Sequence, residues 1–587
     1  MSPTTLTSPP WRLRRADIDA ARAVARAHGV SDLIGRLLAL RGHTDPERAW
    51  AHLEPRLSAL HEPALLPNMP AATERIARAI AAHETILVHG DYDVDGVTGT
   101  ALLVRLFEKL GARVAWHIPN RFTDGYSFGS HSVERARNAG ATLVISVDNG
   151  TSSAETIAEL SRHGIDTVVT DHHEPPNGPL PAAAAIVNPK LTGSSYPFRE
   201  LCGGAVAFKL AWGVCQEQSG GGKVREEMRE FLVDAMAYVA IATVCDVVPL
   251  VDENRVLARF GLRSLEMTKN PGLKALLSIA KLAGNRLDAD DVAFQVGPRI
   301  NASGRLGSAQ KAVELLLAKD TATAVALALE LDRLNVQRKQ IEAELLSRAL
   351  IAAEPYSDRE QHPVLVVAGQ GWHQGVVGIV AARLAQRFER PAVVIGLDGE
   401  TGRGSARSVV GFSVLEALHG GAPHMLRYGG HEQAAGCEVR ADAIDALRDA
   451  VCARAREITE KTPGERRELW IDADLPLRDM NPSLMREIDR LKPFGEGNAR
   501  PVFASTDLRL AEEPRIVGGD ATHMMLQLRQ GAAVLRGMAF GMAKRASELK
   551  MGEPVHAAYS PKWNSFRGTT NLEIEVVDFR TGERPAL

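Results

Sequence analysis

The chain has 587 residues, 45% of them apolar and 24% charged, enough for three or four domains with buried cores at roughly 100–200 residues each. A formal net charge of −3 excludes a protein that coats nucleic acid by bulk electrostatics, so any such contact must come from a local basic groove or from bound cations. The five cysteines (Cys202, Cys215, Cys245, Cys437, Cys452) contain no CxxC pair, which argues against a zinc ribbon or a disulfide framework and fits a reducing, cytoplasmic setting. The N-terminal residues are basic without an apolar core segment, and no apolar stretch approaches the ~20 residues of a membrane span, so neither a secretory signal nor a membrane partner is expected.

Residues 1–80 are rich in Arg, Ala and Leu at helical spacing, broken by Pro55, Pro63, Pro67 and Pro70, and read as a helical cap on the domain that comes next in the chain. From Thr85, apolar runs of strand character appear at 86–88, 114–118, 143–147, 167–170 and 185–187, with helical stretches at 97–110 and 132–139. Alternation of strand and helix predicts a parallel α/β sheet with right-handed crossovers over 81–250, closed by two longer helices at 205–216 and 225–244. A connector over 251–355 holds a run with few breakers, from Thr321 to about Ala353, with Asp320 placed to cap it. Leu331, Leu334, Ile341, Leu345 and Leu346 recur in it at near-helical spacing, and its polar flanks (Arg333, Gln337, Arg338, Lys339, Gln340) favour a bridge between domains over an ordinary core helix. A second α/β unit begins at 364–368 and occupies 356–458. A Pro- and charge-rich connection, 459–467, leads to a tail over 466–582 with short strands near 502–504, 524–528, 555–559 and 572–577, a size that suits a small β-barrel. The predicted fold class is α/β, with a parallel-sheet domain, a long helix, a second α/β domain and a C-terminal barrel.

Chemistry concentrates at the strand ends. The run His89-Gly90-Asp91-Tyr92-Asp93-Val94-Asp95-Gly96 follows the first strand and precedes a helix, where open parallel sheets bind ligands. Three carboxylates at alternate positions repel one another unless a cation lies between them. A calcium loop of the EF-hand kind is a poor alternative, since it needs flanking helices and a Glu at its twelfth position. Asp148-Asn149-Gly150 follows the strand at 143–147, Asp171-His172-His173-Glu174 follows the strand at 167–170, and Asp246 ends an apolar helix. Alone these read as a turn, a surface pair and a satisfied structural acid. Together they put five or six hard O and N ligands on one rim, with no thiolate, which suits two Mn²⁺ or Mg²⁺ ions and phosphoester hydrolysis. Imidazole ligands need a hydrogen-bonded orienting partner, for which Glu174 is one candidate.

The segments HGDYDVDGVTGT, SVDNG, TDHHE and ATVCDVVPL resemble the four motifs of the DHH phosphoesterase family. The downstream segments resemble its single-strand-specific DNA exonucleases: Arg299-Ile300-Asn301-Ala302-Ser303-Gly304-Arg305, Gly371-Trp372-His373-Gln374-Gly375-Val376-Val377-Gly378, Gly402-Arg403-Gly404-Ser405-Ala406-Arg407-Ser408 and Gly429-Gly430-His431. The resemblance runs from about residue 40 to near the C-terminus. It implies a DHH domain, a DHHA1 domain and an OB-fold around a central channel too narrow for duplex. It also implies 5′-to-3′ degradation of single-stranded DNA to mononucleotides in repair and recombination, with a single-strand-binding protein and a helicase as partners; since one chain would enclose its own channel, a monomer is expected.

By the same resemblance Asp93, Asp95, Asp148, His172 and Asp246 are metal ligands, with Asp148 and Asp246 bridging or completing the two shells. Asp91, His89 and His173 are ligands or groups that fix geometry and assist the leaving group. Arg121, Arg299 or Arg305, Ser405 and Arg407 form the pocket for a terminal 5′-phosphate, with Asn301 and His431 in the same substrate-binding set. Independently of family, Gly-rich loops with Arg403, Ser405 and Arg407 offer backbone N–H groups and guanidinium forks to phosphate oxygens. Trp563 and Phe566, beside Lys562 and Arg567, suit either a base-stacking surface or the barrel core. The run from Lys492 to Asn498 also resembles a recurrent segment of these enzymes, without an evident mechanism.

Overall fold

The computed structural model describes residues 9–124, 128–461, 468–519, 521–566 and 569–586. Its first sheet contains five parallel strands in the order Arg113–His117, Thr85–Gly90, Leu143–Val147, Asp166–Thr170, Ala185–Val187. Leu143–Val147 is buried at every position, the continuous apolar texture of a strand covered on both faces. The chain runs from Thr85–Gly90 outward to Arg113–His117 and then returns to its other side, so the order reverses at Thr85–Gly90. The crevice beyond the carboxyl end of that strand is where such sheets bind ligands. Helices Val94–Lys109, Gly203–Glu217 and Glu226–Cys245 share one core with this sheet.

Thr321–Ala353 is one helix of 33 residues, about 50 Å long at ~1.5 Å per residue, and Asp320 caps it by accepting from the Thr323 N–H. Its first half (Ala324, Ala328, Leu331) belongs to the core of the first sheet. Its second half (Leu345, Ala349, Ala353) packs with Leu365, Val367 and Val394 of the second sheet. The helix is therefore a bridge. That second sheet has the order Met425–Gly430, Ala434–Arg440, Thr401–Arg407, Ala392–Asp398, Leu365–Gln370, antiparallel except for the last pair.

In the tail, Phe503–Leu510, Val555–Phe566, Thr569–Thr581, Ala533–Ala539 and His523–Gln530 pair in sequence, and His523–Gln530 returns to Phe503–Leu510. Five strands thus close into a small barrel, with Ala473–Asp474 and Arg515–Val517 attached. Closure leaves these five strands no open edge.

The expectation that the N-terminal region caps the first sheet needs correction. Helix Met69–Ala81 does pack there, through Met69, Ala72, Ile76 and Ala79. Helices Ile18–His28, Asp32–Leu40 and Pro46–Leu53 instead send Val24, Ile34, Leu37, Leu38, Ala49 and Leu53 into the barrel core, beside Phe503, Leu526 and Phe579. A strand, Trp11–Leu13, pairs in parallel with Leu469–Ile471. Helical periodicity reports which face is apolar, not which distant surface will cover it.

The segment Lys492–Asn498 has a role in the fold. The Leu250 N–H donates to the Glu496 carbonyl at 2.7 Å, and a Cβ on Gly495 or Gly497 would press on Leu250 or Pro249 at 2.7 and 3.0 Å. The barrel therefore docks against the turn that succeeds Asp246. Of the two tail aromatics, Trp563 packs against the barrel core and donates Nε1–H to Asp489 at 2.7 Å, the structural alternative. Lys562 pairs with Glu575 at 3.5 Å. The side chain of Phe566, and Arg567, lie outside the described residues, as do 125–127 of the loop carrying Arg121 and 462–467 of the connection to the tail. Among the described residues no helix is long and apolar enough to cross a membrane.

Candidate metal centre

The four motif loops meet at the carboxyl end of the first sheet. Ligand atoms of Asp91, Asp93 and Asp148 lie within 4.8 Å of one another, as do those of Asp95, His172 and Asp246, and those of Asp148, His172 and His173. Asp148 belongs to two of these groups and so joins an all-carboxylate half to a mixed half. His172 Nε2 stands 3.1 Å from Asp148 Oδ1, 3.8 Å from Asp246 Oδ2 and 3.9 Å from Asp95 Oδ2.

Local structure fixes each carboxylate. Asp93 caps helix Val94–Lys109, accepting from the Asp95 and Gly96 N–H groups. Asp95 is gripped through both oxygens by the N–H groups of Gly203 and Gly204, at 2.6 and 2.7 Å, where helix Gly203–Glu217 begins. A Cβ on Gly203 would come within 2.6 Å of the Asp148 Cβ. Asp148 and Val247, the latter next to Asp246, hold left-handed φ values of 63° and 61°. Asp148 Oδ1 and Asp246 Oδ2 are buried without a hydrogen-bond partner.

Burial, and then mutual repulsion, raises the carboxyls: Asp91 to about 7 and Asp95 to about 6, each with Asp93 as the next cause, and Asp246 to about 9, with Asp95 next. Asp148 also lies well above the usual range, for the same reasons. Burial, then the neighbouring His173, lowers His172 to about 3, leaving it neutral and able to ligate. Burial opposes protonation of His173, but the hydrogen bond and charge of Asp171 outweigh it and raise this ring to about 9. The contact is 2.7 Å from His173 Nδ1 to Asp171 Oδ1. Burial would raise Asp171, yet His173 and the Thr151 N–H hold it well below the carboxylate range. The orienting carboxylate is thus Asp171; Glu174, expected as a candidate, is exposed and paired with Lys190 at 3.4 Å.

Beside the acidic rim lies a cationic one. Burial, then Arg121, Arg338 and Arg407, lowers the Arg305 guanidinium to about 10, with Asp93 the attractive neighbour. Arg121 stacks over the Tyr92 ring at 4.2 Å, its Nε buried without a hydrogen-bond partner. Arg407 donates to Ser405 Oγ at 2.9 Å. A cavity of about 460 Å³ runs from Cys245 and Val247, past Phe294 and Asn301, to Arg305 and Arg338.

Several expected residues lie elsewhere. Arg299 is engaged by Asp332 of the long helix at 2.9 Å and by the Gln295 carbonyl, so of the two candidates Arg305 joins the arginine cluster. His431 is exposed in the turn after Met425–Gly430, its described hydrogen bonds being backbone contacts with Ala434. His89 falls into none of the acidic groups and instead neighbours His117 and His131. Sequence reasoning did not single out Gly203, Gly204, Asp171 or Arg338 as site residues. A glycine pair and an Asp-His-His run were visible, but not which carboxylate or ring they would face.

Comparison with known proteins agrees with this geometry. Family models match the DHH family N-terminal domain over 85–241, the DHHA1 domain over 361–457 and the RecJ OB domain over 471–578. The single-stranded-DNA-specific exonuclease RecJ of Bacillus subtilis is 33% identical over 98% of this chain and 71% of its own length; that of Dickeya dadantii is 35% identical over 93% and 95%. The crystal structure of Thermus thermophilus RecJ in complex with Mn²⁺ superposes with a TM-score of 0.82 at 32% identity, covering 98% of this chain and 80% of the other. On these grounds the chain belongs to the RecJ family of DHH proteins.

Proposed function

We propose that the chain is a metal-dependent exonuclease that removes mononucleotides from the 5′ end of single-stranded DNA. The observation that carries this reading is the juxtaposition of a buried hard-ligand rim with a cluster of arginines suited to a phosphate. The donor set fits two Mn²⁺ or Mg²⁺ ions: Asp91, Asp93 and Asp148 on one side, Asp95, His172 and Asp246 on the other, with Asp148 shared and two buried oxygens lacking partners. When bound, such ions supply water activation and charge neutralisation at the phosphoryl group.

The protein's own groups do the rest. Arg121, Arg305 and Arg407, with Ser405, hold the terminal phosphate, while Arg338 of the long helix, beside them, is ion-paired with Glu342. A phosphate held there leaves only the first linkage within reach of the rim, which sets direction. His173, fixed through Nδ1 by Asp171, keeps a proton on Nε2 at neutral pH and delivers it to the departing oxygen. The cavity floor of Val247 and Phe294 receives unpaired bases. We further propose the unit boundaries 81–250, 356–458 and 466–582 for the DHH, DHHA1 and OB modules. We also propose a cytoplasmic monomer, on its scattered unpaired cysteines and self-enclosed channel, acting by family resemblance with a single-strand-binding protein and a helicase.

The test is a time course with Mn²⁺ on long 5′-phosphorylated single strands, 5′-hydroxyl strands and blunt duplex. Stepwise release of mononucleotides from the phosphorylated strand, with Asp148→Ala slowing it at least ~10³-fold while strand binding survives, is expected. Turnover confined to two- to four-nucleotide substrates would replace the exonuclease with a small-substrate phosphodiesterase. Equal rates on the two 5′ ends would remove the phosphate pocket.

A further inference from the structure

Three histidines meet beside the acidic rim but are not part of it. His89 and His117 stand opposite each other in the register of two parallel strands, so their side chains leave the same face of the sheet. His131 lies on the first turn of helix Ser130–Asn138. One ring nitrogen of each lies within 4.8 Å of the other two, and the ring centroids are 5.2 to 5.8 Å apart. We propose that His89, His117 and His131 form a second metal site, for Zn²⁺ or a similar imidazole-preferring divalent ion, distinct from the carboxylate centre.

Four observations converge on this. His89 is fully buried, and its Nε2 is held by Ser132 Oγ at 2.9 Å while its Nδ1 has no partner among the described residues. A ligating imidazole has this form, with one ring nitrogen oriented by a hydrogen bond and the other open. His117, 4% exposed, likewise leaves Nε2 buried with no partner among the described residues. Burial, then the neighbouring His131, lowers His117 to about 4, so it is neutral and carries its lone pair at physiological pH. Asp124 acts on both His117 and His131; tied by the Asn120 N–H and the Thr123 hydroxyl, it supplies negative charge from outside the buried cluster.

The alternative is an aromatic cluster with Phe128, whose ring meets His89 edge-on at 4.8 Å. That packing does not account for two buried nitrogens without partners. A tetrahedral zinc with bonds of about 2.0–2.1 Å holds nitrogens roughly 3.4 Å apart, so binding needs only modest side-chain movement. Donor chemistry would sort the ions: three imidazoles favour Zn²⁺, Co²⁺ or Ni²⁺, whereas the carboxylate rim favours Mn²⁺ or Mg²⁺.

The experiment uses the full chain carrying Asp148→Ala, which weakens the acidic centre by removing the residue its halves share, dialysed against Co²⁺ or Zn²⁺ with excess Mg²⁺. Bound metal is counted by mass spectrometry, and Co²⁺ is also read by its visible tetrahedral bands. One further equivalent and those bands are expected in Asp148→Ala, and their loss on adding His117→Ala and His131→Ala. His131→Gln alone, at a partly exposed position with little risk to folding, should weaken binding at least ~10-fold. Equal metal content and spectra with and without the two histidines would overturn the site, whatever the nuclease assay shows.

Discussion

Asp148 and Val247 hold backbone angles that L-residues avoid, the first a member of the hard-ligand rim and the second next to its Asp246. For Val247, a β-branched residue, the left-handed conformation costs roughly 1–2 kcal/mol, and its side chain is 64% exposed, so little packing would be lost with it. Val247→Gly is therefore expected to leave the unfolding temperature unchanged or raise it, by about 0.5–1 kcal/mol of stability net of the glycine's extra chain entropy, while turnover falls as Asp246 loosens. A clear drop in melting temperature would mean that the Val247 side chain matters more than its backbone. The carboxyls lead to a second expectation. Asp91, Asp95 and Asp246 keep their protons in the metal-free fold up to about pH 7, 6 and 9, whereas in the unfolded chain they ionise near pH 4. Folded pKa values above the unfolded ones make the metal-free protein lose stability as pH rises from about 4 toward 9, and a bound cation reverses this. Mn²⁺ should thus raise the melting temperature more at pH 8.5 than at pH 6; an equal rise at both would contradict it. The ligand types were legible in the sequence because Asp and His recur just past strand-like runs. Asp171 was not, since only its contact with His173 distinguishes an orienting carboxylate from a ligand.

At the scale of elements, the start of helix Gly203–Glu217 does more than begin a helix. Its first two N–H groups clamp Asp95, and the absence of a Cβ on Gly203 makes room for Asp148. Gly203→Ala should weaken Mn²⁺ affinity by about 10–100-fold, as loss of a group that orients a ligand does, with little change in strand binding measured in EDTA. Unchanged metal affinity would show that the Asp148 loop can give way. The buried parallel strands and the Thr321–Ala353 helix were legible because continuous apolar runs and long spacing without breakers have few competing readings. The strands Ala533–Ala539 and Arg515–Val517 were not: both are largely half exposed or exposed, and their partners rather than their own residues hold them in the barrel.

Across the whole molecule, Arg255 joins regions far apart in the chain. Buried in helix Asp252–Glu266, it donates to the carbonyls of His52, Leu491 and Arg490, and burial lowers it to about 9. Arg255→Ala would leave three carbonyls without this donor, at roughly 1–3 kcal/mol for each that stays dry. A fall of about 3 kcal/mol or more is expected, together with a split of one calorimetric transition into two as the barrel uncouples. A single transition at the original temperature would refute that role. None of these long-range contacts was legible, because periodicity and motifs are local whereas the partners of Arg255 lie more than 200 residues away.

The pairing of Trp11–Leu13 with Leu469–Ile471 also bears on the order in which the protein can form. During synthesis the helices Ile18–His28, Asp32–Leu40 and Pro46–Leu53 leave the ribosome well before the barrel strands that cover Val24, Leu37 and Leu53. At about 5–20 residues per second, those apolar faces wait roughly half a minute to a minute and a half for their partners. Nascent chains should therefore recruit holding chaperones early and release them only once the barrel strands emerge. A module translated later thus finishes the folding of an earlier one.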